Sequence, residues 1–542
     1  MRIDRGWLVC LVLAACGGAN GTTVDVPADV PVDAVLDLPG DVPADGATDI
    51  ADDDGGLSDN PLADLSADVP GDAPADVPGD VPAEVSPDVP PPVSWWDTLA
   101  VSGPTVRERI GVSSHMHGGI EANAERDFEI ARYQELGAIH VRNDFRWDNV
   151  EPVQGQQDWS RVTGGVDAVV TAGGDMLAII DYGVVWAETN GGGTSSIEPA
   201  LFGAYAGSMA ARLCPQVKLY EVWNEPNQKG FWFPEPNPAH FALFLKAAHD
   251  AVMAECPDAT IVLGGQAATD SSLGWAFLKD VGTAMPEVCQ FFDVLAIHPY
   301  TFVQAWSPER DFRDVVGYAY PGQSAMTQYG RDRLVDWGCP DRPVWFTEMG
   351  WPSYEISEAD QGRWLARSIL LSARDDVDRY YIYTFWDGEA TTTGTRPHEN
   401  YFGLFGPPGP PPDQRRAKPS WKAVLGMTAA VGDGRFAGDL SANLGLPNDV
   451  YVLAFGTPEG NVVLACWDGR DQPDDGPDGP DLGGPDTTFA LLLHLPPDVA
   501  SVEVLDQETN VVVPAAATGP VSLTLTPAVQ YVVVKTGAAI VK

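Results

Sequence analysis

The amino-acid sequence predicts an α/β protein with a (β/α)8 barrel over residues 95–430 and an antiparallel β-sandwich over residues 431–542. Three observations predict this organisation. Eight apolar, β-rich runs alternate with helical patterns after residue 95, short strands with turns follow residue 430, and charge is spread unevenly along the 542 residues. The part before the barrel is predicted to be a signal peptide, residues 1–16, and a disordered tether, residues 17–94.

The first sixteen residues have the pattern of an export signal. Arg2 and Arg5 precede a short apolar run that ends at Cys16, and such a run is too short to span a bilayer as a mature helix. The final Leu-Ala-Ala-Cys resembles the bacterial lipobox, which implies that Cys16 becomes lipidated. Because Gly17 follows it, we expect an exported lipoprotein at the outer membrane or cell surface, attached through its N-terminal lipid anchor.

The tether is strongly acidic. Residues 17–94 hold 18 acidic side chains and no Lys or Arg, out of a formal charge of −45 for the chain. Carboxylates recur at every fourth residue, but the frequent prolines prevent a helix, and repulsion between like charges predicts an extended spacer. An acidic protein of this kind repels phosphate backbones, so nucleic acid is excluded as a partner.

Eight predicted strands define the barrel. They cover residues 109–114, 139–145, 176–182, 218–224, 260–265, 293–300, 344–350 and 380–387. The clearest helix lies between the fourth and fifth strands, at residues 238–255, where apolar residues recur at steps of three and four behind Asn237. An open doubly wound sheet is the alternative, but no Gly-rich phosphate-binding turn follows the first strand.

Polar side chains stand at the carboxyl ends of several predicted strands. In a (β/α)8 barrel, these ends carry the chemistry, and a polar group in an apolar strand is costly to bury without a function or a partner. The candidates, in strand order, are Arg142, Asn224, Glu225, His298, Tyr300, Glu348 and Trp386.

Glu225 and Glu348 end the fourth and seventh strands, on opposite sides of the barrel mouth. Cleavage of a glycosidic bond needs one carboxylic acid to protonate the leaving oxygen and one carboxylate at the anomeric carbon. The segments EVWNEPN (221–227), AIHPYT (296–301), FTEMGWPS (346–353) and HVRNDFRWDNVEP (140–152) resemble the retaining glycoside hydrolases of clan A. Family 39 is the most similar and family 5 the next, over about residues 105–430.

This resemblance implies a role for each catalytic residue. Glu225 would be the general acid/base and Glu348 the nucleophile, in a double displacement at an oligosaccharide or polysaccharide. Asn224 would bind the 2-hydroxyl, and Arg142 would pair with Glu348 and keep it ionised. No cofactor and no metal is implied, and we expect a monomer.

Further side chains are predicted to hold the sugar. The resemblance implies that Tyr300 and His298 orient the nucleophile and the sugar, and that Trp386 forms a stacking floor. We also expect His117 to contact the substrate and Trp232 to form an aromatic platform at the rim.

Two other functions remain open. His115 and His117 after the first strand resemble the metal-binding start of amidohydrolase barrels, with His298 and Asp387 as further ligands. However, the fifth strand has no His, and an open catalytic metal site usually needs three protein ligands. A catalytically inactive glycan-binding lipoprotein is the second alternative, although both carboxylates are present.

Four cysteines each precede one of strands four to seven: Cys214, Cys256, Cys289 and Cys339. They therefore belong at the end of the barrel opposite the chemistry. Neighbouring strand starts favour the pairs Cys214–Cys256 and Cys289–Cys339 in an exported protein, out of three possible pairings. Cys466 is left over and is predicted to be buried in a strand.

The C-terminal β-sandwich is predicted from six short strands. They cover residues 450–455, 461–467, 489–495, 502–505, 521–525 and 531–535. We favour structural support of the barrel over glycan binding as the role of this domain.

Overall fold

Eight parallel strands close into a barrel in the computed structural model of the chain. The structure describes residues 94–116, 123–267, 275–301, 307–309, 312–313, 319–320, 322–354, 356–388, 397–408, 415–470, 488–496, 499–514 and 520–536. The predicted signal peptide, the lipidation site Cys16 and nearly all of the tether lie outside these residues and stay predictions. No helix in the described part is long and apolar enough to cross a membrane.

The described strands are β1 (Ser102–Thr105), β2 (Ile110–Ser113), β3 (His140–Arg146), β4 (Asp175–Asp181), β5 (Leu219–Val222), β6 (Thr260–Ala267), β7 (Val294–His298), β8 (Phe312–Arg313), β9 (Ala319–Tyr320), β10 (Val344–Met349), β11 (Arg379–Tyr383), β12 (Arg435–Asp439), β13 (Val450–Gly456), β14 (Val462–Asp468), β15 (Phe489–Leu493), β16 (Val499–Leu505), β17 (Val511–Pro514), β18 (Val521–Leu525) and β19 (Gln530–Thr536). The α-helices are α1 (Val106–Arg109), α2 (Asn123–Leu136), α3 (Trp147–Val150), α4 (Ser160–Thr171), α5 (Pro199–Leu213), α6 (Pro238–Glu255), α7 (Trp275–Ala284), α8 (Gln323–Trp337), α9 (Glu358–Arg374) and α10 (Pro419–Val431).

The barrel contains all eight predicted strands in the predicted order. Its closed sheet runs β10-β11-β2-β3-β4-β5-β6-β7, and neighbouring strands are parallel, as in the register of β3 with β4 from His140 opposite Asp175 to Arg146 opposite Asp181. The closure excludes the open doubly wound sheet. Parallel strands covered on both faces are typically nearly continuous apolar runs in the sequence.

Helix α6 shows why the outer ring forms. Its predicted apolar face is buried against the barrel, and the side chain of Asn237 accepts a hydrogen bond from the His240 backbone N–H at 3.0 Å. This bond satisfies one of the free N–H groups at the helix start.

Both predicted disulfides are confirmed. Cys214 bonds to Cys256 and Cys289 to Cys339, with Cα–Cα distances of 6.0 and 6.2 Å, while Cys466 is a buried free thiol. Each bridge joins the segments that lead into two neighbouring barrel strands. The bridges therefore lie at the amino ends of these strands, opposite the carboxyl ends where Glu225 and Glu348 lie.

The C-terminal domain has two antiparallel sheets. Seven strands pair in the order β1-β12-β13-β14-β19-β16-β17, and β15 pairs with β18. The six predicted strands are confirmed, and their apolar faces form a core of their own. Strands β1, β12 and β17 were not predicted.

The first residues of the predicted barrel, residues 95–430, pair with the C-terminal domain. Strand β1 pairs with β12 through Ser102 opposite Phe436, and Trp95 is buried in the sandwich core. The segment from Trp95 to Thr105 therefore belongs to the β domain, because its apolar side chains find their partners there and not in the barrel.

The β domain contacts a buried ion pair of the barrel. Arg367 of α9 donates two hydrogen bonds of 2.7 Å to Glu309, in the connection after β7, and the Trp467 indole of β14 donates to the same carboxylate at 2.9 Å. Arg367 also donates to the carbonyl oxygen of Pro527 at 3.3 Å. Both charged side chains are almost fully buried, so this cluster holds three parts of the chain together.

Candidate active site

The two predicted catalytic carboxylates meet at the mouth of the barrel. Glu225 is 0% exposed and Glu348 is 9% exposed. One carboxylate oxygen of each, together with one ring nitrogen of His298, lies within 4.8 Å of the others. Two acidic side chains this close cannot both carry a charge without a cost, so their surroundings decide which one is ionised.

The backbone after β5 is bent to deliver Glu225. Trp223 and Glu225 have φ angles of 71° and 46°, and the Glu225 N–H donates to the Gly265 carbonyl at 3.0 Å. Such angles are uncommon for residues other than glycine, and they cluster at functional sites.

A Cβ at Gly265 would stand 1.9 Å from Nε2 of His298, so glycine is required for the close approach of β6 and His298.

Arg142 of β3 connects the site. Its guanidinium donates to Glu348 Oε1 at 2.5 Å, to Glu221 Oε2 at 2.6 Å and to Asn224 Oδ1 at 2.8 Å. Burial alone would lower the pKa of Arg142, but attraction to Glu221 and Glu348 raises it well above its usual value. The contact of Arg142 with Glu348 is the one that the family resemblance implied.

Glu225 has the opposite environment. Burial, and then the nearby charge of Glu348, raise the pKa of Glu225 well above its usual value. The surroundings of Glu225 therefore favour its protonated form, which is the form that a general acid needs.

A chain of hydrogen bonds places the proton of this pair. The Thr347 hydroxyl donates to Glu221 at 2.9 Å and so accepts from His298 Nε2 at 3.0 Å. Burial, and then Arg142, lower the pKa of His298 well below its usual value, so the ring is neutral and its Nδ1 carries a lone pair. The 2.9 Å contact of Nδ1 with Glu225 Oε1 is then a bond donated by Glu225.

Glu348 is held on its second oxygen as well. The Tyr300 hydroxyl donates to Glu348 Oε2 at 3.0 Å, and Asn224 Nδ2 donates to the Tyr182 hydroxyl at 3.2 Å. The structure thus brings together the predicted residues Arg142, Asn224, Glu225, His298, Tyr300 and Glu348.

Trp232 does not form a rim platform, and that prediction is wrong. The side chain is 0% exposed, packs against Trp223 and Phe244 with ring centroids 5.0 and 5.2 Å away, and donates to Ser195 at 2.8 Å. The side chain of Trp232 points into the protein, whereas the next residue, Phe233, is 55% exposed.

The eighth strand ends earlier than predicted, which changes the candidate for the stacking floor. Strand β11 ends at Tyr383, whose partly exposed ring lies 6.5 Å from Tyr300 and 6.0 Å from His115. Trp386 lies in the following loop, where its indole donates to Glu129 of α2 at 2.7 Å and its ring stacks on Phe128. Tyr383 is a residue that the sequence analysis missed, and a sugar-binding role for Trp386 stays a prediction.

The histidines after the first strand do not assemble a metal site in the described part of the chain. His117 lies outside the described residues, and His115 contacts Asp144 at 3.3 Å. Asp387 instead accepts from Lys418 at 3.0 Å and from the Gly403 N–H at 2.8 Å. Of the ligands predicted for an amidohydrolase-like metal site, His115 and Asp387 therefore contact other side chains.

Glu221 and Thr347 were also missed. Glu221 is a fully buried carboxylate within β5, and it accepts from Arg142, Thr347 and the Gly265 N–H. A charged residue in an apolar strand was its signal in the sequence. Thr347 gave no such signal, because threonine is common in strands.

No family model and no curated protein sequence matches the chain. Among solved structures, the fold is similar to that of a family 39 glycoside hydrolase from Bacteroides cellulosilyticus, at 23% identity over 80% of this chain and 83% of that one, with a TM-score of 0.62. It is also similar to a monomeric β-xylosidase from Caulobacter crescentus, at 18% identity over 81% and 98% of the two chains and a TM-score of 0.57.

A family 39 enzyme from Xanthomonas axonopodis is similar as well, at 17% identity over 81% of this chain and 96% of that one, with a TM-score of 0.54. At such identities the similarity establishes the fold. It agrees with the resemblance to family 39 that the four sequence segments predicted.

Proposed function

We propose that the chain is a retaining glycoside hydrolase that cleaves O-glycosidic bonds of an oligosaccharide or polysaccharide. The observation that carries this proposal is the pair Glu225 and Glu348, close together and in opposite electrostatic environments. Carboxylates about 5–5.5 Å apart are typical of retaining enzymes, whereas inverting enzymes separate theirs by about 6.5–9.5 Å to admit a water molecule. The oxygens of Glu225 and Glu348, within 4.8 Å, support retention.

In the first step, a carboxylate oxygen of Glu348 attacks the anomeric carbon while Glu225 gives its proton to the leaving oxygen. The bond from the anomeric carbon to that oxygen breaks, and the sugar is left covalently bound to Glu348. Arg142 and Tyr300 fix the two oxygens of Glu348. They therefore hold the attacking group in one orientation.

In the second step, Glu225 is a carboxylate and takes a proton from water. The water oxygen attacks the anomeric carbon, the bond to Glu348 breaks, and Glu348 leaves as a carboxylate. Because discharge of Glu348 in the first step removes the negative charge that favours protonation of Glu225, the same residue can act as acid and then as base.

The location is part of the proposal. The lipobox-like end of the signal, at Cys16, and the acidic tether support attachment to the outer membrane or cell surface. A spacer of this length would hold the barrel tens of ångströms from the membrane, even with random-coil dimensions, and this suits a polysaccharide at the surface.

Hydrolysis by the full-length chain tests the reaction. A β-xylosidase and, from Croceicoccus marinus, a glucosidase have a similar fold. Aryl β-xylosides and β-glucosides are therefore the first substrates to test, followed by plant and bacterial polysaccharides. We expect cleavage by the wild type and by the exposed control Glu255→Ala, and none by Glu348→Ala at unchanged thermal stability. Cleavage that survives Glu348→Ala contradicts the assignment of the nucleophile.

Rescue by azide distinguishes the general acid/base from the nucleophile and shows the stereochemistry of the reaction. In Glu225→Ala, azide should restore turnover of aryl glycosides and give a glycosyl azide of retained configuration, because it replaces water in the second step. In Glu348→Ala, it should give the inverted product. NMR of the anomeric proton distinguishes the two. Binding of glycans without cleavage across the panel would favour the inactive glycan-binding alternative.

A further inference from the structure

Three possible metal-donor atoms of the site lie close together. Nδ1 of His298 lies 2.9 Å from Glu225 Oε1 and 3.7 Å from Glu348 Oε2, and one ligand atom from each residue lies within 4.8 Å of the others. Two carboxylate oxygens and one imidazole nitrogen are a donor set that zinc and related metals accept.

The orientation of His298 suits a metal ligand. Its Nε2 is hydrogen-bonded to Thr347, which leaves the lone pair of Nδ1 directed at Glu225. Metal-binding histidines almost always hold their second nitrogen in this way, because it fixes the ring and its tautomer. Here the fixing group is already in place.

The protein leaves part of this cluster without a partner. One guanidinium, that of Arg142, is shared between Glu221 and Glu348. Oε2 of Glu225 is also buried without a hydrogen-bond partner in the described structure, so this carboxyl group is not saturated by the protein.

We propose that Glu225, His298 and Glu348 form an inhibitory site for a divalent transition metal ion such as Zn²⁺. The ion takes the place of the proton between Glu225 and His298, and that proton passes to solvent. Glu348 keeps its bond to Arg142 through Oε1 and offers Oε2 to the metal. The bound ion occupies the point between acid and nucleophile where the glycosidic bond must lie, so metal and sugar exclude each other.

The chemistry of the donors sets the selectivity. Ca²⁺ takes six to eight oxygen ligands and Mg²⁺ keeps most of its waters, whereas an imidazole and two carboxylates suit Zn²⁺ or Co²⁺. The site is a ligand site and not part of the catalytic cycle. Metal binding does not depend on the proposed function, but inhibition does.

Titration calorimetry of the full-length chain with ZnCl2 tests the binding. Excess Mg²⁺ is present throughout, so that carboxylate-only sites of the acidic chain are occupied. We expect one Zn²⁺ per chain, and the affinity should fall by roughly 10–100-fold or more in His298→Ala and in Glu348→Gln, since even groups that only support a metal ligand are worth that much. Co²⁺ should give a visible spectrum typical of nitrogen and oxygen ligands, lost in the same variants.

His249→Ala is the matched control, since His249 also contacts a carboxylate, that of Asp250, at 3.0 Å. It should leave the Zn²⁺ affinity unchanged. Circular dichroism checks the fold of each variant, and Glu348→Gln decides the question if His298→Ala does not fold. Equal Zn²⁺ affinity in the wild type and Glu348→Gln overturns the proposal.

The test of inhibition by Zn²⁺ requires a substrate that the protein hydrolyses. With an active substrate, Zn²⁺ should raise KM and leave kcat unchanged. Zn²⁺ binding without hydrolysis on any substrate would confirm the metal site and count against the glycosidase, whereas hydrolysis insensitive to bound Zn²⁺ would refute the inhibitory role.

Discussion

At the scale of single residues, the proton between Glu225 and His298 is the central feature of the site. His298 is neutral and Thr347 fixes its tautomer, so the proton near Glu225 belongs to that carboxyl group. Two identical side chains in one pocket thus have different surroundings, and the proposed reaction gives them different roles. This assignment leads to two predictions.

The first concerns pH. The pKa of Glu225 is raised by burial and by the charge of Glu348, and the first step needs this group protonated. We therefore expect kcat/KM to fall as the pH rises through the raised pKa. In Glu225→Gln, which has no proton to lose there, that alkaline fall should vanish, and turnover of substrates with poor leaving groups should drop by about 10²–10⁴-fold. An alkaline limb that persists in the variant would show that another group causes it.

The second concerns Thr347→Val. The change removes the hydroxyl that joins His298 to Glu221 and leaves buried polar groups unpaired, at a cost of about 1–3 kcal/mol in the free energy of unfolding. We expect kcat to fall with KM little changed, because the proton is no longer fixed between Glu225 and His298. Thr428→Val in α10 removes another buried hydroxyl and should reduce stability without affecting kcat. Equal kcat in the two variants contradicts the role of Thr347.

The sequence allowed prediction of charged and aromatic residues at strand ends, because such residues stand out in apolar strands. Apart from the contacts of Arg142 and Tyr300 with Glu348, which the family resemblance implied, it did not reveal which neighbour each would contact. Trp232 was misplaced because its contacts with Trp223 and Ser195 come from other loops. Tyr383 was missed because the end of its strand was placed four residues too late.

At the scale of elements, close packing of neighbouring strands sets the position of His298. Strand β6 passes the His298 ring so closely that only glycine fits at residue 265. The alternation of strands and helices predicted the barrel, since period and length are local properties of the chain. The approach of β6 to a ring on β7 is not local. Gly264 and Gly265 within β6 indicate a close approach of the backbone, but they do not identify the side chain that approaches.

Gly265→Ala tests this packing. Its Cβ would meet the His298 ring, so the ring or the strand must move, and we expect a loss of most activity together with a stability loss of roughly 1–3 kcal/mol. In Gly165→Ala, on α4, the new Cβ finds its nearest neighbours at ordinary contact distance, 3.5 Å, and activity should be unchanged. Kinetics and thermal unfolding of both variants measure the effect, and a fully active Gly265→Ala enzyme would disprove it.

At the scale of the whole molecule, a buried ion pair of the barrel, Arg367 with Glu309, is hydrogen-bonded by Trp467 and Pro527 of the β domain. Glu309→Gln leaves Arg367 charged and poorly compensated, and breaking such a pair costs about 3–5 kcal/mol. Asp250→Asn removes one partner of an exposed pair with Lys246 and should change the free energy of unfolding by less than about 0.5 kcal/mol. Denaturant unfolding compares them. Equal stabilities would show that the cluster contributes nothing to holding the domains together.

The order of the chain through the β domain has a consequence for biosynthesis. Strand β1 precedes the barrel, but its partner β12 follows it, about 330 residues later. A contact of such long range forms late, since the intervening chain must first be ordered. During synthesis, the apolar side chains between Trp95 and Thr105 therefore stay exposed until the whole barrel has emerged from the ribosome. Truncation after residue 431 should yield an aggregation-prone product instead of a free barrel.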